Sequence, residues 1–138
     1  MTTPSETQSS GFDNLGIAPK LLEALDRLKF TSPTPIQEKS IPIALEGKDM
    51  IGIAQTGTGK TMAFGIPMLQ RLSQTKGRGL IILPTRELAL QVDETLHKIG
   101  KAINLRTAVL IGAERSPTCS NSSRYTARVS DRSVGYPR

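Results

Sequence analysis

The chain of 138 residues contains no tryptophan and a single cysteine, Cys119. One thiol excludes a disulfide framework within the chain and suits a reducing compartment. No run of 18 apolar residues occurs, and the opening "MTTPSETQSSG" lacks the basic and apolar blocks of a secretory signal. The sequence therefore reads as that of a cytoplasmic protein with no membrane partner. Aromatic residues make up only 4%, yet 37% hydrophobic content still allows a modest core. Acidic residues are outnumbered by basic ones, 12 to 18, which gives a net charge of +6. Such a balance suits a polyanionic partner and says nothing about fold.

Another absence divides the chain. From Ala113 to Arg138 there is no Leu, Ile, Met or Phe, while six Ser and five Arg accumulate. A buried parallel strand is a nearly continuous apolar run, so residues 113–138 are expected to form an aberrant, disordered tail outside the domain. Residues 1–11, rich in Ser and Thr without a large apolar side chain, are expected to be a disordered N-terminal tail. The domain is then residues 12–112.

Within that stretch the apolar pattern alternates between two periods. "PKLLEALDRL" sets Leu21, Leu22, Leu25 and Leu28 on one helical face, with Pro19 in the first-turn position. A second helix should begin at Thr34-Pro35 and stop near Gly47, broken or kinked at Pro42. "MIGIA", Met50 to Ala54, reads as a buried strand because it is short, apolar and followed by a Gly-rich turn. A helix from Lys60 to about Gln74, a strand at "GLIIL", a long amphipathic helix and a strand at "LRTAVLI" follow. Strands alternating with helices imply right-handed crossovers and a parallel sheet covered on both faces, an α/β fold.

The chemistry concentrates at "AQTGTGKT", Ala54-Gln55-Thr56-Gly57-Thr58-Gly59-Lys60-Thr61. The segment follows an expected strand and opens a helix, the context a phosphate-binding loop requires. Gly57 and Gly59 let the backbone curl so that successive N–H groups face phosphate oxygens. The positive end of the helix adds to them. Lys60 is placed to neutralise the β- and γ-phosphates and Thr61 to ligate Mg²⁺. Ala54 stands where such loops usually start with glycine. Another reading is a Gly-rich strand–helix connection that binds nothing.

Two further segments admit two readings each. Thr34-Pro35-Ile36-Gln37 fits a capping box, with Thr34 as N-cap and Gln37 reaching back to its amide. Equally, the Gln37 amide offers a donor and an acceptor that match N7 and N6–H of adenine and not guanine. Phe30 would present a flat apolar face to the ring, or else be an ordinary core residue. At Pro84-Thr85-Arg86-Glu87, after the second strand, Thr85 and Arg86 with the helix amides would grip phosphate. There Thr85 also fits a plain N-cap, with Glu87 favoured at the positive helix end.

Phe12, the run Phe30 to Gln37, "AQTGTGKT" and "PTRELA" (Pro84–Ala89), in that order and at that spacing, resemble the opening of a DEAD-box ATP-dependent RNA helicase. The resemblance covers about residues 12–112. It implies a three-layer RecA-like P-loop domain, of which this is the incomplete front part, with ATP and Mg²⁺ as cofactors and RNA as partner. It implies that Phe12, Phe30 and Gln37 form the adenine-sensing Q motif, and that Pro84–Glu87 touch the RNA backbone without reading sequence. Lys29 departs from the pattern, standing where a glycine usually precedes the aromatic.

The family hydrolyses ATP with an Asp-Glu pair on a later strand, and no Asp-Glu-Ala-Asp stretch occurs here. After Asp93-Glu94 the only acids are Glu114 and Asp131. The expectation is therefore a helicase sequence that is inactive in this form, read as truncated or frame-shifted after residue 112. The alternative is a non-catalytic module that binds nucleotide and RNA.

Overall fold

The computed structural model describes residues 11–111 and 125–131. The N-terminal tail expected at 1–11 lies outside the described residues except for Gly11, and so do 112–124 and 132–138. Four helices form where the apolar spacing predicts them: α1 (Pro19–Arg27), α2 (Pro35–Leu45), α3 (Lys60–Gln74) and α4 (Arg86–Gly100). Pro42 sits inside α2 without ending it. Its missing N–H forfeits one bond near the last turn, and the helix stops at Gly47, whose φ of +80° suits glycine.

The core joins the inner faces of these helices. Leu21 and Leu25 of α1, Ile41 of α2, Ile66 and Leu69 of α3, and Leu96 and Ile99 of α4 are all fully buried. Helices α3 and α4 approach so closely that a Cβ on Gly65 would lie 2.5 Å from Leu96 Cδ2. One buried polar side chain joins the N-terminal segment to this core. Gln70 Nε2 donates to Gly16 O at 3.1 Å, and Gln70 Oε1 accepts from Ala18 N at 2.8 Å.

The sheet holds β1 (Arg78–Leu83), β2 (Leu105–Ile111) and β3 (Tyr125–Asp131) in the order β1-β3-β2. β3 runs antiparallel to both neighbours, from Arg78 opposite Ser130 to Leu83 opposite Tyr125, and from Leu105 opposite Asp131 to Ile111 opposite Tyr125. Strands β1 and β2 consequently share one direction, as a βαβ crossover through α4 demands, but they do not pair with each other.

Three expectations require correction here. The sheet is not purely parallel, because β3 intervenes. That strand comes from the segment assigned to a tail, since ladder hydrogen bonds use backbone groups and "YTARVSD" contains the strand formers Tyr, Thr and Val. The sheet is also not covered on both faces among the described residues: Leu80, Ile82 and Leu110 remain 62%, 60% and 53% exposed. Finally, Met50–Ala54 is not a paired strand. Among the described residues no backbone group hydrogen-bonds to it, and Ile51 and Ile53 are each 92% exposed.

Candidate nucleotide and RNA site

The loop Ala54–Thr61 leads into α3, whose N-cap is Gly59. Gly57 and Gly59 have φ of +78° and +83°, the left-handed region that L side chains rarely adopt. Gly57 has open space around a notional Cβ, so only its backbone angle demands glycine. Gly59 is constrained twice, because a Cβ there would lie 2.3 Å from Gln37 Nε2 and 3.2 Å from Thr34 Oγ1.

Those two contacts arise from hydrogen bonds. Gln37 Nε2 donates to Gly59 O at 3.1 Å, and Thr34 Oγ1 donates to Thr58 O at 2.7 Å. Gln37 Oε1 meanwhile accepts from Thr34 N at 3.0 Å, and the two residues form the expected capping box at the start of α2. Within the loop Thr58 Oγ1 donates to Gln55 O at 2.6 Å, and Lys60 Nζ donates to Ala54 O. The first turn of α2 thus grips the back of the loop. Sequence spacing exposes the capping box but not its second set of partners, which lie more than 20 residues away.

The aromatic positions separate. Phe12 is 1% exposed and belongs to the core cluster, whereas the second aromatic stays accessible. Phe30 is 38% exposed on the connection after α1. Gly11 N donates to Thr31 O at 3.2 Å, which sets the Phe12 segment beside the Phe30 segment.

Lys29 ends α1 in the left-handed region with φ of +63°. Its N–H donates to Asp26 O at 2.9 Å and that of Phe30 to Leu25 O at 3.0 Å, the bond pair of a Schellman cap. The position asks for glycine, for the reason the departure from the family pattern suggests.

Pro84–Glu87 lie exposed at the carboxyl end of β1. Thr85 Oγ1 accepts from Leu88 N at 3.2 Å, so the N-cap reading is present, and Arg86 and Glu87 open the first turn of α4. A cavity of about 350 Å³ joins the two segments, bordered by Lys60 and Thr61 on one side and Leu83 and Leu88 on the other. Buried Ser40 lines it too. On the exposed face of α4, a hydrogen bond from Lys98 and then its charge hold the Glu94 carboxyl below its usual range. Among the described residues no cluster of three His, Cys, Asp or Glu is placed to hold a metal.

A phosphate loop between a capping box and an α/β sheet defines a P-loop protein of the RecA-like class. The family model for DEAD/DEAH box helicases matches residues 34–131, which runs past the boundary that composition suggests at residue 112. The chain is 51% identical over 110 residues to the ATP-dependent rRNA helicase RRP3 of Debaryomyces hansenii, covering 78% of this chain and 23% of that protein. It is 52% identical over 110 residues to the RRP3 of Yarrowia lipolytica, with the same coverage. Among solved structures it resembles the RNA helicase Prp28 from Chaetomium thermophilum bound to ADP, with TM-score 0.66, 36% identity, and 74% and 26% of the two chains covered. It also resembles S. cerevisiae Dbp5 bound to RNA and ADP BeF3, with TM-score 0.59, 37% identity, and 68% and 25% covered. The chain spans about a quarter of the length of these relatives. It belongs to the DEAD/DEAH box helicase family.

Proposed function

We propose that this chain supplies the ATP-binding front of an ATP-dependent RNA helicase. The carrying observation is the double tie between the capping box and the phosphate loop, Gln37 to Gly59 and Thr34 to Thr58. It fixes the loop beside a side-chain amide that retains one N–H and one lone pair after its bonds to Gly59 and Thr34. These would meet N7 and N6–H of adenine, with Phe30 against the ring.

Loop amides and the start of α3 would hold the phosphates. Lys60 would exchange its bond to Ala54 O for phosphate oxygens. The Thr61 hydroxyl, part-buried in the first turn of α3, fits Mg²⁺ as a single protein ligand. That ion characteristically keeps waters and takes its remaining oxygens from substrate phosphates. When bound, the metal neutralises charge between the β- and γ-phosphates. Exposed Thr85 and Arg86, with the first amides of α4, would contact RNA phosphates, which carry no sequence information.

No helix among the described residues is long and apolar enough to cross a membrane, and we place the protein in the cytoplasm. A second reading is a module that binds without turnover, favoured by the lack of an Asp-Glu-Ala-Asp stretch in the sequence.

Calorimetric titration with ATP tests the assignment. Lys60→Ala removes the one side-chain cation at the loop and should weaken binding more than tenfold, or about 1.4 kcal/mol. Equal affinities for the wild type and Lys60→Ala would refute it.

A further inference from the structure

Gln70 lies on the buried face of α3 among Ile66, Leu69 and Leu72. An amide there is costly unless both of its ends are paired, and both are spent on one short stretch of chain. Nε2 donates to Gly16 O at 3.1 Å, and Oε1 accepts from Ala18 N at 2.8 Å. Gly16, in the left-handed region at φ +79°, turns the chain between those two groups.

The clipped stretch is the middle of a loop that closes on itself. Gly11 N donates to Thr31 O at 3.2 Å, which joins the two ends of residues 11–31. Inside that ring α1 starts after Ala18, and Phe30 N returns to Leu25 O at 3.0 Å. Phe30 therefore stands beside the closing bond. Leu21 and Leu25 pack the ring on the core, but apolar contacts are non-directional and do not fix a register. Among the described residues the two bonds of Gln70 are the hydrogen bonds that tie the ring to α3. That helix opens at the phosphate loop, and Gln70 follows Lys60 by ten residues, about 15 Å along the axis.

We propose that Gln70 is a positioning residue for nucleotide binding: it sets the ring against the helix that carries the phosphate loop, and thereby holds Phe30 in place for the base. This role rests on the ATP site proposed above and makes a narrower demand on it. Phosphates would meet the loop and α3 directly, whereas Phe30 is joined to α3 by hydrogen bonds only through Gln70. Loss of the tie should weaken what the base contributes and spare what the phosphates contribute.

Calorimetric titration of the full chain with ATP and with inorganic tripolyphosphate separates the two parts. Gln70→Leu keeps a side chain of similar size and removes both bonds. It should lower ATP affinity about fivefold, the cost of leaving one aromatic side chain for the ligand to order, with tripolyphosphate affinity unchanged within about twofold. Gln70→Met, which matches the amide in length, should give the same pattern and carries the comparison where the leucine variant does not fold. In a Phe30→Ala background, Gln70→Leu should cause no further loss of ATP affinity, because residues acting in series are not additive. Three results would overturn the role of Gln70 while leaving Lys60-dependent binding intact: unchanged ATP affinity in both variants, an equal fall for ATP and tripolyphosphate, or additive losses in the double variant. A wild type that binds tripolyphosphate as tightly as ATP would overturn it too. Binding that ignores Lys60→Ala refutes the ATP site itself, and this role with it.

Discussion

The side-chain amide of Gln37 spans two elements, accepting from Thr34 N at 3.0 Å and donating to Gly59 O at 3.1 Å. Helix capping and loop anchoring are thereby carried by one buried group, and base choice would use what remains of its hydrogen-bonding capacity. Gln37→Ala should leave Gly59 O without its partner, costing about 1–3 kcal/mol in denaturant unfolding. It should also erase a preference for ATP over GTP in competition titrations. If GTP competes as well as ATP against wild type, the amide serves structure alone.

The same contact makes Gly59 less replaceable than Gly57. Gly59→Ala meets both an unfavourable φ of +83° and the Gln37 amide nitrogen at 2.3 Å. Gly57→Ala meets only the backbone penalty, since nothing lies within 4 Å, and that penalty is about 1–2 kcal/mol. Thermal unfolding should rank Gly59→Ala clearly below Gly57→Ala. Equal midpoints for the two would mean that the Gln37 tie does not persist in solution.

Lys29 offers the opposite experiment, a change that should improve the protein. A lysine in the left-handed region costs about 1–2 kcal/mol, partly offset by its lower entropy in the unfolded chain. Lys29→Gly should therefore raise stability by about 0.5–1 kcal/mol, visible as a melting point higher by a few degrees. Lys29→Ala should give no such gain. A neutral or destabilising Lys29→Gly would show that the lysine side chain makes a compensating contact.

Which parts of this molecule can be read from residues alone follows from the range of the interactions. α3 begins at Lys60 and ends at Gln74 as its periodicity and Gly-rich entrance require, because helical bonds are local. The capping box at Thr34–Gln37 is legible for the same reason. Strand pairing depends on distant partners, so "MIGIA" has the composition of a buried strand but lies exposed, while "YTARVSD" pairs between β1 and β2. Phe12 shows the same limit within the site, since an aromatic in a motif can face a ligand or fill the core. Gln70 left one signal that was open to reading: a polar residue among Ile66, Leu69 and Leu72 on a buried helical face implies buried partners.

Turnover by the residues of this chain alone can be tested separately from nucleotide binding. Phosphoryl transfer relies on several groups positioned together around the β- and γ-phosphates. In the proposed site Lys60 and Thr61 would supply the phosphate cradle and one metal ligand. The sequence contains no Asp-Glu-Ala-Asp stretch to place a metal-orienting aspartate and a glutamate acting on water. In related P-loop enzymes an arginine finger alone is worth roughly 10³–10⁵ in rate, and no assigned residue of this chain fills that role. The chain by itself should therefore bind ATP without measurable RNA-stimulated turnover and should not unwind RNA. Steady-state phosphate release with and without single-stranded RNA, measured beside a full-length relative, checks this. RNA-stimulated release that Lys60→Ala abolishes would show that other residues supply the water-activating and charge-stabilising groups.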